Sequence, residues 1–120
     1  MSAKSGAAGS ESAVTLSTHV LDTALGKPAA EIRVRLARSG KPIGQGTTDV
    51  DGRLRDFGAG AATLTAGSYT LLFEVAAYFA ASKRESFYRE ISLDFEITAG
   101  GHHHVPLLLS PFGYSTYRGS

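Results

Sequence analysis

Four histidines stand in the chain, His19 alone and His102, His103 and His104 in a row. Imidazole is the side chain whose ordinary pKa suits proton transfer near neutral pH. In the first alternating run, Val14, Leu16 and Val20 share one side and Thr15, Ser17 and His19 the other. Near the C-terminus, Val105, Leu107 and Leu109 oppose His104, Pro106, Leu108 and Ser110. Successive side chains of a strand point to opposite faces. If the Val and Leu sets form a core, His19 and His104 both emerge on an outer sheet face. Such faces ordinarily carry charge, whereas this one carries Thr, Ser, His, Pro and Leu. An uncharged, half-apolar outer face points to burial against a second subunit, and a polar cluster at such an interface makes a pocket.

The triple histidine also raises a metal reading, because imidazole suits zinc and copper. Adjacent strand residues diverge, so His103 cannot easily join His102 and His104 on one ion, whereas His19 could. No carboxylate completes that set, the spacing matches no known metal motif, and no metal or other cofactor is expected. The chain has no Cys, which excludes disulfides, thiolate zinc sites and Cys nucleophiles. It has no Gly-rich phosphate loop and no G-x-S-x-G, so Ser110 and Ser115 are read as structural and not as nucleophiles.

The elements that must hold these residues are strands. Ile32, Val34 and Leu36 alternate with Glu31, Arg33 and Arg35; Tyr69, Leu71, Phe73 and Val75 with Thr70, Leu72 and Glu74; Ile91, Leu93, Phe95 and Ile97 with Ser92, Asp94 and Glu96. Alternation of this kind, with one face buried and one wet, predicts antiparallel sheets. Leu25-Gly26-Lys27-Pro28, Ser39-Gly40-Lys41-Pro42, Val50-Asp51-Gly52 and Gly100-Gly101 punctuate the runs as turns. Short strands at this spacing, about eight of them, favour a β-sandwich. Ala76 to Arg84 is Ala-rich and without Gly or Pro, which predicts the one helix, with Lys83 and Arg84 in its last turn facing the negative end of the dipole.

A chain of 120 residues makes one domain. Met1 to Ala13 is small, polar and patternless, and lacks the apolar stretch of a secretory signal. It reads as a disordered tail on a cytoplasmic chain, with the domain proper at residues 14–120. Twelve Lys and Arg against eleven Asp and Glu leave a net charge of +1. That gives no strong field for nucleic acid or an anionic membrane, and no apolar run is long enough for a membrane-spanning helix.

Four ordered motifs carry a family resemblance. Thr18-His19-Val20-Leu21-Asp22-Thr23, Gly26-Lys27-Pro28-Ala29 and Thr48-Asp49-Val50-Asp51-Gly52-Arg53 resemble the transthyretin-like family. The same holds for His102-His103-His104-Val105-Pro106-Leu107-Leu108-Leu109-Ser110-Pro111, followed by Tyr114-Ser115-Thr116. The closing Tyr117-Arg118-Gly119-Ser120 resembles the tetrapeptide that separates the 5-hydroxyisourate hydrolases of that family from its hormone carriers. The resemblance implies a two-sheet transthyretin (prealbumin)-like sandwich of about eight strands with one short helix. It implies a homotetramer, a dimer of dimers with sites in the channel between dimers. The activity implied is hydrolysis of 5-hydroxyisourate to 2-oxo-4-hydroxy-4-carboxy-5-ureidoimidazoline in urate catabolism, with a small-ligand carrier using the same channel as the alternative.

Carried over residue by residue, the resemblance makes His19, Arg53 and His104 catalytic and lets Tyr117, Arg118, Gly119 and Ser120 line the substrate site. His104 is then the general base for water, with His19 as polariser or second acid–base group, and the order of the two is open. Arg53 orients a planar urea-like ring through its fork of donors. Apart from the resemblance, Arg53 reads first as a loop arginine after a turn. Two positions depart from the family pattern. Arg89 follows Phe87-Tyr88 where relatives often have Pro, and His103 stands where they commonly have an aromatic residue. Strand alternation running through Tyr114, Thr116 and Arg118 implies a docked C-terminus.

Overall fold

The structure, a computed structural model, describes residues 14–120. The tail assigned to residues 1–13 lies outside the described residues. Nine strands and one α-helix follow in the order β1 (Val14–Asp22), β2 (Lys27–Pro28), β3 (Arg33–Arg38), β4 (Lys41–Thr47), β5 (Arg53–Leu54), β6 (Gly67–Glu74), α1 (Val75–Ala81), β7 (Glu90–Ile97), β8 (Gly101–Ser110) and β9 (Gly113–Thr116). A five-stranded sheet runs β2-β1-β8-β9 with β5 also paired to β1, and a four-stranded sheet runs β4-β3-β6-β7. The sandwich and the single helix agree with the sequence reading. The strand count exceeds eight because β2 and β5 are two-residue strands, too short to leave an alternating pattern.

The core lies where the alternation puts it. Val20, Val34, Leu36, Leu71, Phe73 and Leu107 are fully buried between the sheets. Thr18 continues the inward set of β1 and is buried with them. Its hydroxyl donates to the Val105 carbonyl at 2.6 Å, so a polar atom sits in the core with its bond made. The outer face of the four-stranded sheet is charged and paired. Arg35 bridges Glu74 at 3.2 Å and Glu90 at 3.4 Å, and Thr70 donates to Asp94 at 2.7 Å.

Two sequence expectations are corrected. Antiparallel pairing was expected throughout, but β1 and β8 run parallel, from Val14↔Gly101 to Asp22↔Leu109. Alternation fixes which face of a strand is buried. It does not fix the direction of a neighbour, which here follows from the chain crossing to the other sheet and back between β1 and β8. The helix ends at Ala81, short of Arg84, with no basic residue in its last turn. Lys83 adopts φ 58 there and stops the helix.

Arg84 turns instead to the end of β1. Asp22 is fully buried and accepts from Arg84 Nη2 at 2.6 Å, from Tyr78 Oη at 2.7 Å, and from the N–H groups of Leu25 at 3.0 Å and Ala24 at 3.1 Å. Burial pushes the carboxyl pKa up, but the bonds from Arg84, Tyr78 and Leu25 and the Arg84 charge outweigh it, and the net shift is downward. Burial and the Asp22 carboxylate together push the Tyr78 phenol up to about 12. This cluster pins the helix to the strand that carries His19.

Because the folded-state pKa of Asp22 is depressed, its stabilisation is present above the unfolded value and is lost as pH falls through the folded one. Arg84→Met should destabilise by about 3–5 kcal/mol, the usual range for stranding a buried charge. It should also move the acid-unfolding midpoint to higher pH, because Asp22 then protonates earlier. Urea unfolding at neutral pH and an acid titration of circular dichroism check both.

Candidate active site

The register of three strands builds the site on β1. Along it, His19 lies opposite Arg53 of β5 and beside Pro106 of β8, and Ser17 lies beside His104. Thr15 lies beside His102. On the far side of β8, the β9 ladder starts at Ser110↔Gly113 and continues in register to a bridge between His104 and Gly119, whose N–H donates to the His104 carbonyl at 2.8 Å. Paired residues share a face. Arg53, His19, Ser17, His104, His102 and Thr15 therefore stand on the outer face of one sheet.

Arg53 is placed by the turn before it. Asp49 Oδ1 accepts the N–H groups of Asp51 and Arg53, each at 2.9 Å. These bonds, the one from Arg53 first, hold the Asp49 carboxyl below its ordinary pKa. Gly52 has φ +75, and a Cβ there would lie 2.4 Å from the Val20 carbonyl, so only glycine lets the turn close against β1. The exposed Arg53 side chain makes no ion pair among the described residues.

His104 and His102 lie in a hydrogen-bonded line, with His19 beside it. His19 and His104 have ring centroids 6.5 Å apart, as do His102 and His104. Ser17 Oγ is 2.7 Å from His104 Nδ1 and 2.9 Å from His102 Nε2, and Thr15 Oγ1 is 2.7 Å from His102 Nδ1. Burial, then the charges of Arg53, His19 and His102, hold the His104 pKa below its ordinary 6.5, against a smaller opposing effect of the Ser17 backbone. His104 is therefore neutral at pH 7. Its Nδ1 is engaged and its Nε2 is left for a ligand, the state a general base requires. Gly119 fits because it lacks a side chain: a Cβ there would meet His104 Cδ2 at 2.7 Å.

A hollow of about 230 Å³ is lined by Ser17, Arg53, Arg55, His102, His104 and Ser120. A larger cavity of about 430 Å³ opens between β7 and the end of the chain, bordered by Phe95, Ile97, Val105, His104, Tyr117 and Arg118. Of the residues expected from sequence, His19, Arg53, His104, Gly119 and Ser120 come together. Tyr117 and Arg118 border the larger cavity, with His104 between the two spaces. His103 points away from the other histidines, with its Nε2 3.0 Å from the Ala99 carbonyl. Among the described residues no group of three or more His, Asp or Glu gathers as a metal centre. Sequence reading left Arg55 and Ser17 without a role. Spacing was the one signal: Ser17 stands two residues from His19 on the same face of β1, and Arg55 two residues from Arg53, just past the end of β5.

A two-sheet sandwich with one short helix that presents three imidazoles and an arginine on one outer face has the architecture and polar site of the transthyretin-like sandwiches. The chain belongs to the HIUase/Transthyretin family, which matches residues 16–119. It is 43% identical over 113 residues to a 5-hydroxyisourate hydrolase of Deinococcus radiodurans, covering 88% of this chain and 95% of that protein. The solved structure of the Klebsiella pneumoniae 5-hydroxyisourate hydrolase superposes with a TM-score of 0.80 at 45% identity, over 88% of this chain and 99% of the other. Sea bream transthyretin in complex with thyroxine superposes with a TM-score of 0.79 at 26% identity, over 87% and 93% of the two chains.

In a proton NMR titration, the His104 imidazole should show a midpoint below 6.5. Gly119→Ala should shift that midpoint and the ring resonances, because the ring or the chain end must move. Thermal stability should change little, by about 0.5 kcal/mol or less for a site so near the surface.

Proposed function

We propose that this chain is a 5-hydroxyisourate hydrolase, opening the six-membered ring of 5-hydroxyisourate to 2-oxo-4-hydroxy-4-carboxy-5-ureidoimidazoline in urate degradation. The observation that carries this reading is the His104 imidazole, one nitrogen tied to Ser17, on the same face as Arg53, which makes no ion pair among the described residues. Its likeness to the 5-hydroxyisourate hydrolases of Deinococcus and Klebsiella supports it.

The reaction adds water to a ring carbonyl, breaks the adjacent C–N bond, and moves a proton to the leaving nitrogen. His104 Nε2 takes the proton of the attacking water. Arg53 holds the planar, urea-like edge with paired donors and stabilises the charge that develops on the carbonyl oxygen. His19, one strand pair from Arg53, polarises the water or protonates the leaving nitrogen. Gly119 and Ser120 close the hollow, and Tyr117 and Arg118 complete the substrate-binding set from the neighbouring cavity. No cofactor is part of this scheme.

We assign residues 14–120 as the hydrolase domain, with the tail outside it, and place the chain in the cytoplasm. No helix among the described residues is long and apolar enough to cross a membrane. The outward residues of β1 and β8, which include no Asp, Glu, Lys or Arg, against the ion-paired face of the other sheet, support a homotetramer, a dimer of dimers meeting over the histidines. Light scattering at micromolar concentration should give four times the chain mass, and a stable monomer would refute the assembly.

The competing reading is a carrier in the same channel, as the thyroxine complex of sea bream transthyretin illustrates. A carrier channel has no use for the histidine pair or for Arg53. Freshly made 5-hydroxyisourate should lose its ultraviolet absorbance faster with the protein than without it, in the presence of chelator. His104→Ala and His19→Ala should each slow turnover by about 10²–10⁴-fold, and Arg53→Lys should be costly because an ammonium cannot reproduce the fork. The acid limb of kcat/KM should fall below pH 6.5, because the folded protein resists protonating His104.

A further inference from the structure

We propose that Ser17 is a proton relay: its hydroxyl passes the proton His104 acquires on to His102, at the open edge of the hollow, and passes it back for the leaving nitrogen. The inference rests on the hydrolase reading above, and it assigns work to two residues which that mechanism leaves unused.

The geometry is a continuous line of short bonds. Ser17 Oγ lies between His104 Nδ1 at 2.7 Å and His102 Nε2 at 2.9 Å, and His102 Nδ1 meets Thr15 Oγ1 at 2.7 Å. A hydroxyl donates one proton and accepts others, so two proton arrangements satisfy the whole line. In the resting one, His104 Nδ1–H donates to Ser17, Ser17 donates to His102 Nε2, and His102 Nδ1–H donates to Thr15. His104 Nε2 is then a free lone pair. In the other, every proton between His104 and His102 has moved one place along, and His104 carries its proton on Nε2.

The catalytic cycle moves between the two. As water adds to the carbonyl, its proton goes to His104 Nε2. The Nδ1 proton passes to Ser17 Oγ, and the Ser17 proton passes to His102 Nε2, leaving His104 neutral and His102 cationic. When the ring C–N bond breaks, the leaving nitrogen takes the Nε2 proton. Ser17 returns a proton to His104 Nδ1 and recovers its own from His102. One water is consumed and no net charge remains on the protein.

The surroundings explain why such a line is useful. His104 faces His19 of β1, Arg53 of β5, His102 of its own strand and Gly119 of the chain end, and Arg55 and Ser120 line the same hollow. Among the described residues, no Asp or Glu side chain lines it. An imidazolium at His104 would be half-buried among cations. One at His102 is exposed to solvent. A side chain larger than serine at position 17 would separate the two rings that it links.

The test pairs kinetics with a measurement that needs no substrate. Ser17→Ala should lower kcat on 5-hydroxyisourate by roughly 10- to 100-fold, a share of what acid–base catalysis supplies, with KM within about twofold. A plot of kcat against the D2O fraction should be bowed for the wild type and linear for Ser17→Ala. In a His104→Ala background the Ser17→Ala change should have no further effect. If Ser17→Ala does not fold, His102→Gln on the exposed end of the line should give the same loss and the same linear plot. Separately, 15N NMR of the neutral imidazoles should show His104 held as the Nδ1–H tautomer in the wild type and released from it in Ser17→Ala. The Nδ1–H tautomer in a wild type inactive on 5-hydroxyisourate would refute the hydrolase reading while supporting the resting arrangement of the relay. An active wild type whose turnover and bowed plot survive either substitution would overturn the relay, as would a His104 tautomer that Ser17→Ala leaves unchanged.

Discussion

The parallel pairing of β1 with β8 is the constraint on which the rest depends. It sets Ser17 beside His104 although 87 positions separate them in sequence. The pair is secured from the core side, where the buried Thr18 hydroxyl reaches across to the Val105 carbonyl at 2.6 Å. It is secured again at its end, where Thr23 N–H donates to the Leu109 carbonyl at 2.8 Å and Asp22 anchors the helix. Both flanking pieces of the site hang from these two strands: among the described residues β5, which brings Arg53, pairs with β1 alone, and β9, which leads to Gly119, with β8 alone.

The two outer faces of the sandwich express opposite electrostatic choices. On the four-stranded sheet, arginines and glutamates neutralise one another in water, where such pairs contribute little to stability. On the five-stranded sheet Arg53 makes no ion pair among the described residues, and burial and the nearby positive charges disfavour protonation of His104. An anionic or electron-rich planar ligand is favoured there. Stability and chemistry are thereby separated by sheet, with the acid–base groups on β1 and β8, whose outward residues include no Asp, Glu, Lys or Arg.

How much of this was legible in the sequence follows from what alternation encodes. It gives the face on which a residue stands, so His19 and His104 could be placed on an outer face from Val14, Leu16, Leu107 and Leu109 alone. It gives no partner, so the neighbouring of Ser17 with His104 and of His19 with Arg53 needed the strand order and direction. Turn chemistry was readable where a side chain demands it, as at Asp49 to Gly52. The end of α1 was misread because Lys83 and Arg84 suit a last helical turn. The attraction of the buried Asp22 for Arg84 lies outside local sequence. Ser17 was on the correct face but had no visible role, because a hydroxyl becomes a relay only when imidazoles flank it on both sides.

The Gly119 bridge has a consequence for how this chain can change over evolutionary time. From Ser110↔Gly113 to His104↔Gly119 the last strand keeps one register. Inserting or deleting one residue between Gly113 and Gly119 would turn every following side chain to the opposite face. It would also press a side-chain-bearing residue against the His104 ring, where only hydrogen fits. Lineages descending from this chain can therefore vary that segment by exchange of residues but not by length. Gains and losses of sequence are better borne by the connections that lie outside the ladders.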